Sequence, residues 1–415
     1  MPTRAVVVHR RGPQSPSEPK LLSGVVAATV TTRRRTALPY LPALDGIRGL
    51  LVFPVVAYHF SITGGVPGWE LAPGSYLAPS MFFTLSGFLI TSLLLAERER
   101  SGGIDWGGFW SRRFRRLLPA SLAVVLGCVV LKALWHQVYG PMTWSDTLAG
   151  ILSAKNWQSI VLENGDPTQA ARGALGPLSP YWSLAVEEQF YLGLSIVVAL
   201  AARSKHALRW LVGFLVTLWC YSALSLLLVD GSATRMFFGT DTRASEVVSG
   251  CLLAVVMQEL GWPRSKWWSG VGWVGLVVTI AAWQTLGHTE PWVIHGGLLL
   301  ASALNIALIL GGVVEGSFAR VMTLRPLVEL GKISYPVYLV HWPVALVLQP
   351  ERTHLGQWPL MLVRFVVSVG LGWILGNWIE KPIRTRRVLP GRRAAVLWLG
   401  VAVSAVALAA WRGGS

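Results

Sequence analysis

Apolar runs of about 17–22 residues recur from one end of this chain to the other, each long enough to cross the hydrocarbon core of a bilayer. Such runs leave few folds open. In lipid every backbone N–H and C=O must be satisfied within the protein, so segments of this length are helices. Charged residues make up 13% of the 415 residues and apolar ones 53%, too little charge to cover a soluble protein of this size. The fold class expected is an all-α polytopic membrane protein. Eleven spans are predicted, at about 43–62, 76–96, 118–136, 182–202, 208–229, 246–261, 268–286, 293–314, 333–349, 360–379 and 394–411.

The net charge of +16 does not point to nucleic acid, because the basic residues are not gathered as a groove or patch would need. They cluster between apolar segments on alternate sides. With the amino terminus inside, 27 of the 36 Lys and Arg fall on inner segments and 6 on outer ones, while Arg48, Lys132 and Arg364 lie within spans. The positive-inside rule then predicts a cytoplasmic amino terminus and an outer carboxyl terminus in a multi-pass cell-membrane protein surrounded by lipid. Residues 1–40, with Arg33, Arg34 and Arg35, read as a disordered basic cytoplasmic tail or as an over-extended reading frame. Trp144–Ile160 is amphipathic and reads as a helix on the outer face, followed by a Gly/Pro-rich loop over Gly165–Pro180. Cys128, Cys220 and Cys251 fall in apolar runs without paired spacing, so they read as small core residues. No metal motif and no Gly-rich phosphate loop is visible. Any catalysis belongs to the bundle itself.

Ionisable residues within spans are costly, and each is a functional suspect. Arg48 and His59 share the first span. Eleven steps of about 100° bring them to one helical face, about 16 Å apart along the axis. Arg48 could pair with Asp45 on its own helix, or reach as a cation into an inward-facing cavity. His59 is the candidate general base, since its ordinary pKa lies near neutrality. Glu187 and Glu188 open the fourth span from the same outer side. One of them could orient the imidazole as the acid of a catalytic triad does, and the other would sit at the interface. Arg113 and Arg116, in Phe109-Trp-Ser-Arg-Arg-Phe-Arg-Arg-Leu-Leu-Pro119, could anchor on anionic lipid or clamp a phosphorylated donor. Ser86 reads as close packing. His341, beside Trp342 and Pro343, could line the cavity or be structural. His288, His295 and His354 show no ligand spacing.

Together these segments resemble the membrane acyltransferase-3 family, which O-acylates sugars and other acceptors at the cell envelope. The resemblance runs from about 40 to 386. It rests on Leu44-Asp-Gly-Ile-Arg48-Gly with His59, Phe82-Phe-Thr-Leu-Ser-Gly-Phe-Leu-Ile and Arg113-Phe-Arg-Arg116 with Pro119. Trp182-Ser-Leu-Ala-Val-Glu-Glu-Gln-Phe-Tyr, Ile333-Ser-Tyr-Pro-Val-Tyr-Leu-Val-His-Trp-Pro and Ile379-Glu-Lys-Pro complete the order. It implies a bundle of about ten transmembrane helices over 41–386, with 387–415 as an additional C-terminal span. It also implies an acyl-CoA donor, acetyl-CoA or a longer thioester. His59 is then the catalytic residue, Glu187 its support, and Arg48, Arg113 and Arg116 serve the donor. Trp182, Glu188, Tyr335 and His341 are the expected substrate contacts.

Two departures stand out. The family often reads Gly-Val-Asp before the Phe-Phe pair, where this chain has Ala78-Pro79-Ser80-Met81. It often reads Thr-Arg-Ala-Asp where this chain has Thr242-Arg243-Ala244-Ser245-Glu246. Many relatives carry an esterase-like domain after an eleventh helix. Here transfer is expected directly from the bundle to a sugar or other hydroxyl acceptor, or through a separate acyl-accepting envelope protein. A transporter or flippase for a lipid-linked molecule would also want intramembrane charge, but no internal repeat of the kind many transporters show is evident.

Overall fold

The computed structural model describes residues 40–63, 73–135, 142–165, 176–201, 204, 206–228, 232–286, 292–385 and 392–413. The tail up to residue 39, loop residues 166–175 and His288 lie outside these. Among the described residues all regular structure is helical. The principal helices are α1 (Pro42–Ile62), α2 (Pro79–Ser101), α3 (Trp106–Leu134), α4 (Trp144–Ile151), α5 (Lys155–Gly165), α6 (Tyr181–Ala201) and α7 (Ala207–Leu228). They continue as α8 (Ala244–Leu260), α9 (Trp267–Thr285), α10 (Leu298–Val313), α11 (Arg325–Lys332), α12 (Ser334–Val347), α13 (Gln357–Ile374) and α14 (Arg392–Gly413). Every predicted apolar segment coincides with a helix. Among the described residues seven stretches are long and apolar enough to cross a membrane: 42–62, 73–101, 106–134, 181–201, 207–228, 295–313 and 357–384. Leu227, Val274, Val277, Leu362 and Val366 are exposed on outward faces. Lipid accepts such a surface and water does not. The protein is an all-α membrane protein.

Close helix contacts hold the bundle. α2 runs along α8, α1 along α11, α9 along α10 and α12 along α13. At the first contact Gly87 and Gly250 face the partner backbones reciprocally. A Cβ at Gly87 would overlap the Val247 carbonyl, and one at Gly250 the Thr84 carbonyl. Small residues let helix backbones approach where lipid supplies no hydrophobic drive. Thr84 and Asn305 add a hydrogen bond of 3.2 Å between α2 and α10.

Local signals set the helix ends. Asp105 caps α3 by accepting from the Gly108 amide at 2.9 Å, and Gly102 ends α2 with a left-handed φ of 72°. The single amphipathic helix expected over 144–160 is instead two, α4 and α5, turned at Ser153 with φ 53°. The turn is stabilised because Lys155 folds back onto Asp146 (2.6 Å) and Gln158 (2.8 Å), while Gln189 donates to the Ser153 carbonyl at 2.7 Å. Burial raises the Asp146 carboxyl, but the Lys155 ammonium and Thr143 hydrogen bonds outweigh it and hold the group below its ordinary pKa.

Candidate active site

One cavity of about 610 Å³ runs inside the bundle, walled by α1, α2, α3, α6 and α12. Its lining on α2 extends from Pro79 to Arg100, a rise of about 32 Å. That is close to the thickness of a hydrocarbon core, about 30 Å.

One end is basic. Arg48, Arg100, Arg112, Arg113 and Arg116 all line the cavity there, with Glu97 and Glu187. Their pairings differ. Arg48 bonds Asp45 at 3.1 Å and Arg112 bonds Glu97 at 3.1 Å. Arg113 is held twice, by Glu188 at 3.1 Å and by the Tyr191 ring, whose centroid lies 3.2 Å from its guanidinium carbon. Among the described residues Arg116 makes no hydrogen bond or close ion pair, Glu380 acting on it only from further off, and it is exposed to the open space. An arginine with free donors facing a cavity is suited to phosphate oxygens, which match the guanidinium fork. Arg100 and Arg112 were not singled out from the sequence, although Arg112 sits beside Arg113. Their shared side of the bundle was the available signal.

The other end carries the histidines. His59, partly exposed, lies one turn beyond Val55, which lines the cavity. Its Nδ1 is 2.8 Å from the Val55 carbonyl oxygen and 3.2 Å from Nε2 of His341. His341 is fully buried, and its own Nδ1 bonds the carbonyl of Tyr338, another lining residue. A carbonyl only accepts, so each Nδ1 carries the proton. Neutral His59 therefore has its lone pair on Nε2, the form a general base needs. Trp342 packs edge-on against the His59 ring, with centroids 5.4 Å apart.

The helices bearing the two histidines are tied by Arg364 of α13, which is fully buried. It donates to the Phe60 carbonyl (2.9 Å) and to Thr63 Oγ1 (3.2 Å) and O (3.3 Å) at the end of α1. It also donates to Leu348 O (2.8 Å) and Ala345 O (3.3 Å) at the end of α12.

Several expected positions are corrected. Arg48 and His59 do not both line the cavity; His59 stands just past its end. Glu187 is not bonded to His59. It lines the cavity and accepts from the Tyr191 hydroxyl at 3.3 Å, because Ser183, Glu187 and Tyr191 recur at i+4 and share the cavity stripe of α6. Trp182 lies one step off that stripe. It is buried against Phe83, Phe237 and Phe238, at centroid distances of 6.0, 5.1 and 4.8 Å, and does not line the cavity. Glu188 is bound to Arg113 rather than open to substrate, and His341 is buried behind the wall. Tyr335 does line the cavity, with its hydroxyl donating to the Leu117 carbonyl at 2.9 Å.

The two departures from the family pattern meet in space. Arg243 and Glu246, both fully buried, pair at 2.7 Å, and Arg243 also donates to Ser80 Oγ at 3.3 Å. The acid displaced by one position thus supplies the carboxylate that a buried arginine requires, and Ser80 supplies a hydroxyl.

The family model described as an acyltransferase domain matches residues 41–410. The chain belongs to the acyltransferase-3 family. As a member, it is 32% identical over 372 residues to the O-acetyltransferase OatA of Staphylococcus aureus, covering 84% of this chain and 58% of that protein. It is 30% identical over 375 residues to the peptidoglycan O-acetyltransferase OatA of Listeria monocytogenes, covering 84% of this chain and 57% of that protein. The chain therefore spans little more than half the length of these curated relatives. No solved structure matches it.

Proposed function

We propose that this acyltransferase moves an acetyl group from acetyl-CoA, bound at the arginine end, to a hydroxyl of an envelope glycan presented at the histidine end. The observation that carries the reading is a single cavity of membrane-spanning length, with Arg116, which makes no hydrogen bond or close ion pair among the described residues, at one end and the Nδ1-protonated His59 just past the other. The arginines would hold the phosphates of CoA on the cytoplasmic side. The uncharged pantetheine arm would follow the apolar wall of Phe82, Phe83 and Ile90. At the far end His59 Nε2 would take the proton of the attacking hydroxyl. The names of the relatives above favour a cell-wall glycan as acceptor.

The deciding assay supplies purified protein with radiolabelled acetyl-CoA and de-O-acetylated cell-wall glycan. Label on the glycan is the expected result. Movement of a lipid-linked substrate without acyl transfer would make the protein a transporter and end this reading. Within the donor site, Arg116→Ala should raise KM for acetyl-CoA about 10- to 150-fold with kcat little changed, because a charge-assisted bond to phosphate contributes about 1.5–3 kcal/mol. Unchanged KM in initial-rate measurements would remove Arg116 from the donor site.

A further inference from the structure

Resting on that reading, we propose that His341 is the positioning residue of His59, in the place where a catalytic triad has a carboxylate. Among the described residues neither ring has an Asp or Glu partner; their hydrogen bonds are to Val55 O, Tyr338 O and each other. The Tyr338 carbonyl obliges His341 to carry its proton on Nδ1, which leaves Nε2 with a lone pair. That atom stands 3.2 Å from His59 Nδ1 and is a second acceptor for the N–H already donated to Val55. His341 is 0% exposed, so no bulk water competes for its lone pair. The rings lie 4.9 Å apart between centroids and are inclined at 55°. They meet edge to edge through nitrogen atoms rather than stacking.

The role follows from proton bookkeeping. As the acceptor oxygen attacks the thioester carbonyl, its O–H proton passes to His59 Nε2 and a C–O bond forms. The C–S bond then breaks, and the same proton leaves Nε2 for the thiolate, giving the ester and the CoA thiol. Between these events His59 is an imidazolium in a region of low polarity. His341 Nε2 accepts the Nδ1–H of that cation more strongly than it accepts from neutral imidazole, as charge-assisted bonds are stronger. This lowers the barrier without altering donor binding. It also fixes the ring orientation, the task the acid performs in serine hydrolases.

The test uses the full chain in detergent with radiolabelled acetyl-CoA and de-O-acetylated cell-wall glycan. His341→Leu, of similar volume and without an acceptor, should lower kcat about 100-fold and leave KM for acetyl-CoA unchanged. His341→Gln places a carbonyl oxygen near the Nε2 position and should recover turnover to within about tenfold of the parent. Equal losses in both variants, tracking equal losses of thermal stability, would mean that His341 only packs, and would overturn the proposal. So would parental turnover in His341→Leu beside an inactive His59→Ala. Full turnover in His59→Ala would instead overturn the transferase reading of the histidine end, and this inference with it.

Discussion

Replacing His59 by alanine should lower acyl transfer about 10²–10⁴-fold, the range in which a positioned general base contributes, while the protein folds as before. The fold should tolerate the change because the ring bonds only a carbonyl of its own helix and His341. Losing those contacts is a matter of about 1 kcal/mol. Donor binding should persist too, since Arg48 stands about 16 Å away along α1 and the other arginines line the cavity that His59 does not. The comparison therefore needs two measurements on one preparation: label transfer to glycan, and retention of acetyl-CoA by equilibrium binding. Parental transfer in the variant would remove His59 from the chemistry.

The second large effect belongs to Arg364, and it is one of stability. Its guanidinium satisfies five acceptors at the ends of two helices. Arg364→Leu leaves these groups buried with no donor. A loss of about 3–5 kcal/mol is expected, the range seen when one partner of a buried charged network is removed. It should show as a lowered unfolding temperature in detergent and a poor yield of folded protein. Arg364→Lys should fall between, because an ammonium cannot span both helix ends with one planar fork. Normal stability of the leucine variant would show that the clamp is dispensable.

The helices were legible because their signal is local: length and apolarity alone locate α1, α6 and α7 within a residue or two. The split between α4 and α5 was not, since it depends on Lys155 reaching back to Asp146 and on Gln189 of another helix. Within the site, the facing of Arg48, Arg113 and Arg116 into one cavity could be anticipated from side and spacing. The partner of His59 could not. Sequence gives depth along each helix but neither its rotation nor its axial offset, so Glu187 was expected at the level of His59 and instead faces the arginine end. His341 is 282 residues from His59, and no local pattern links them. Two histidines within spans that run in the same direction were the only hint. Trp182 shows the same limit, because a single 100° step separates it from the cavity stripe of Ser183 and Glu187.

The surroundings of Arg364 also explain how this bundle holds a cation deep among helices with no carboxylate in direct contact among the described residues. The peptide dipoles of a helix sum to roughly half a negative charge at its carboxyl end. Arg364 sits where α1 and α12 both terminate, bonded to Phe60, Thr63, Ala345 and Leu348. Two such ends together balance about one positive charge. The charge at this corner is thus balanced mainly by backbone carbonyls and the Thr63 hydroxyl, with Glu351 acting only from further off, and among the described residues no carboxylate hydrogen-bonds either histidine ring.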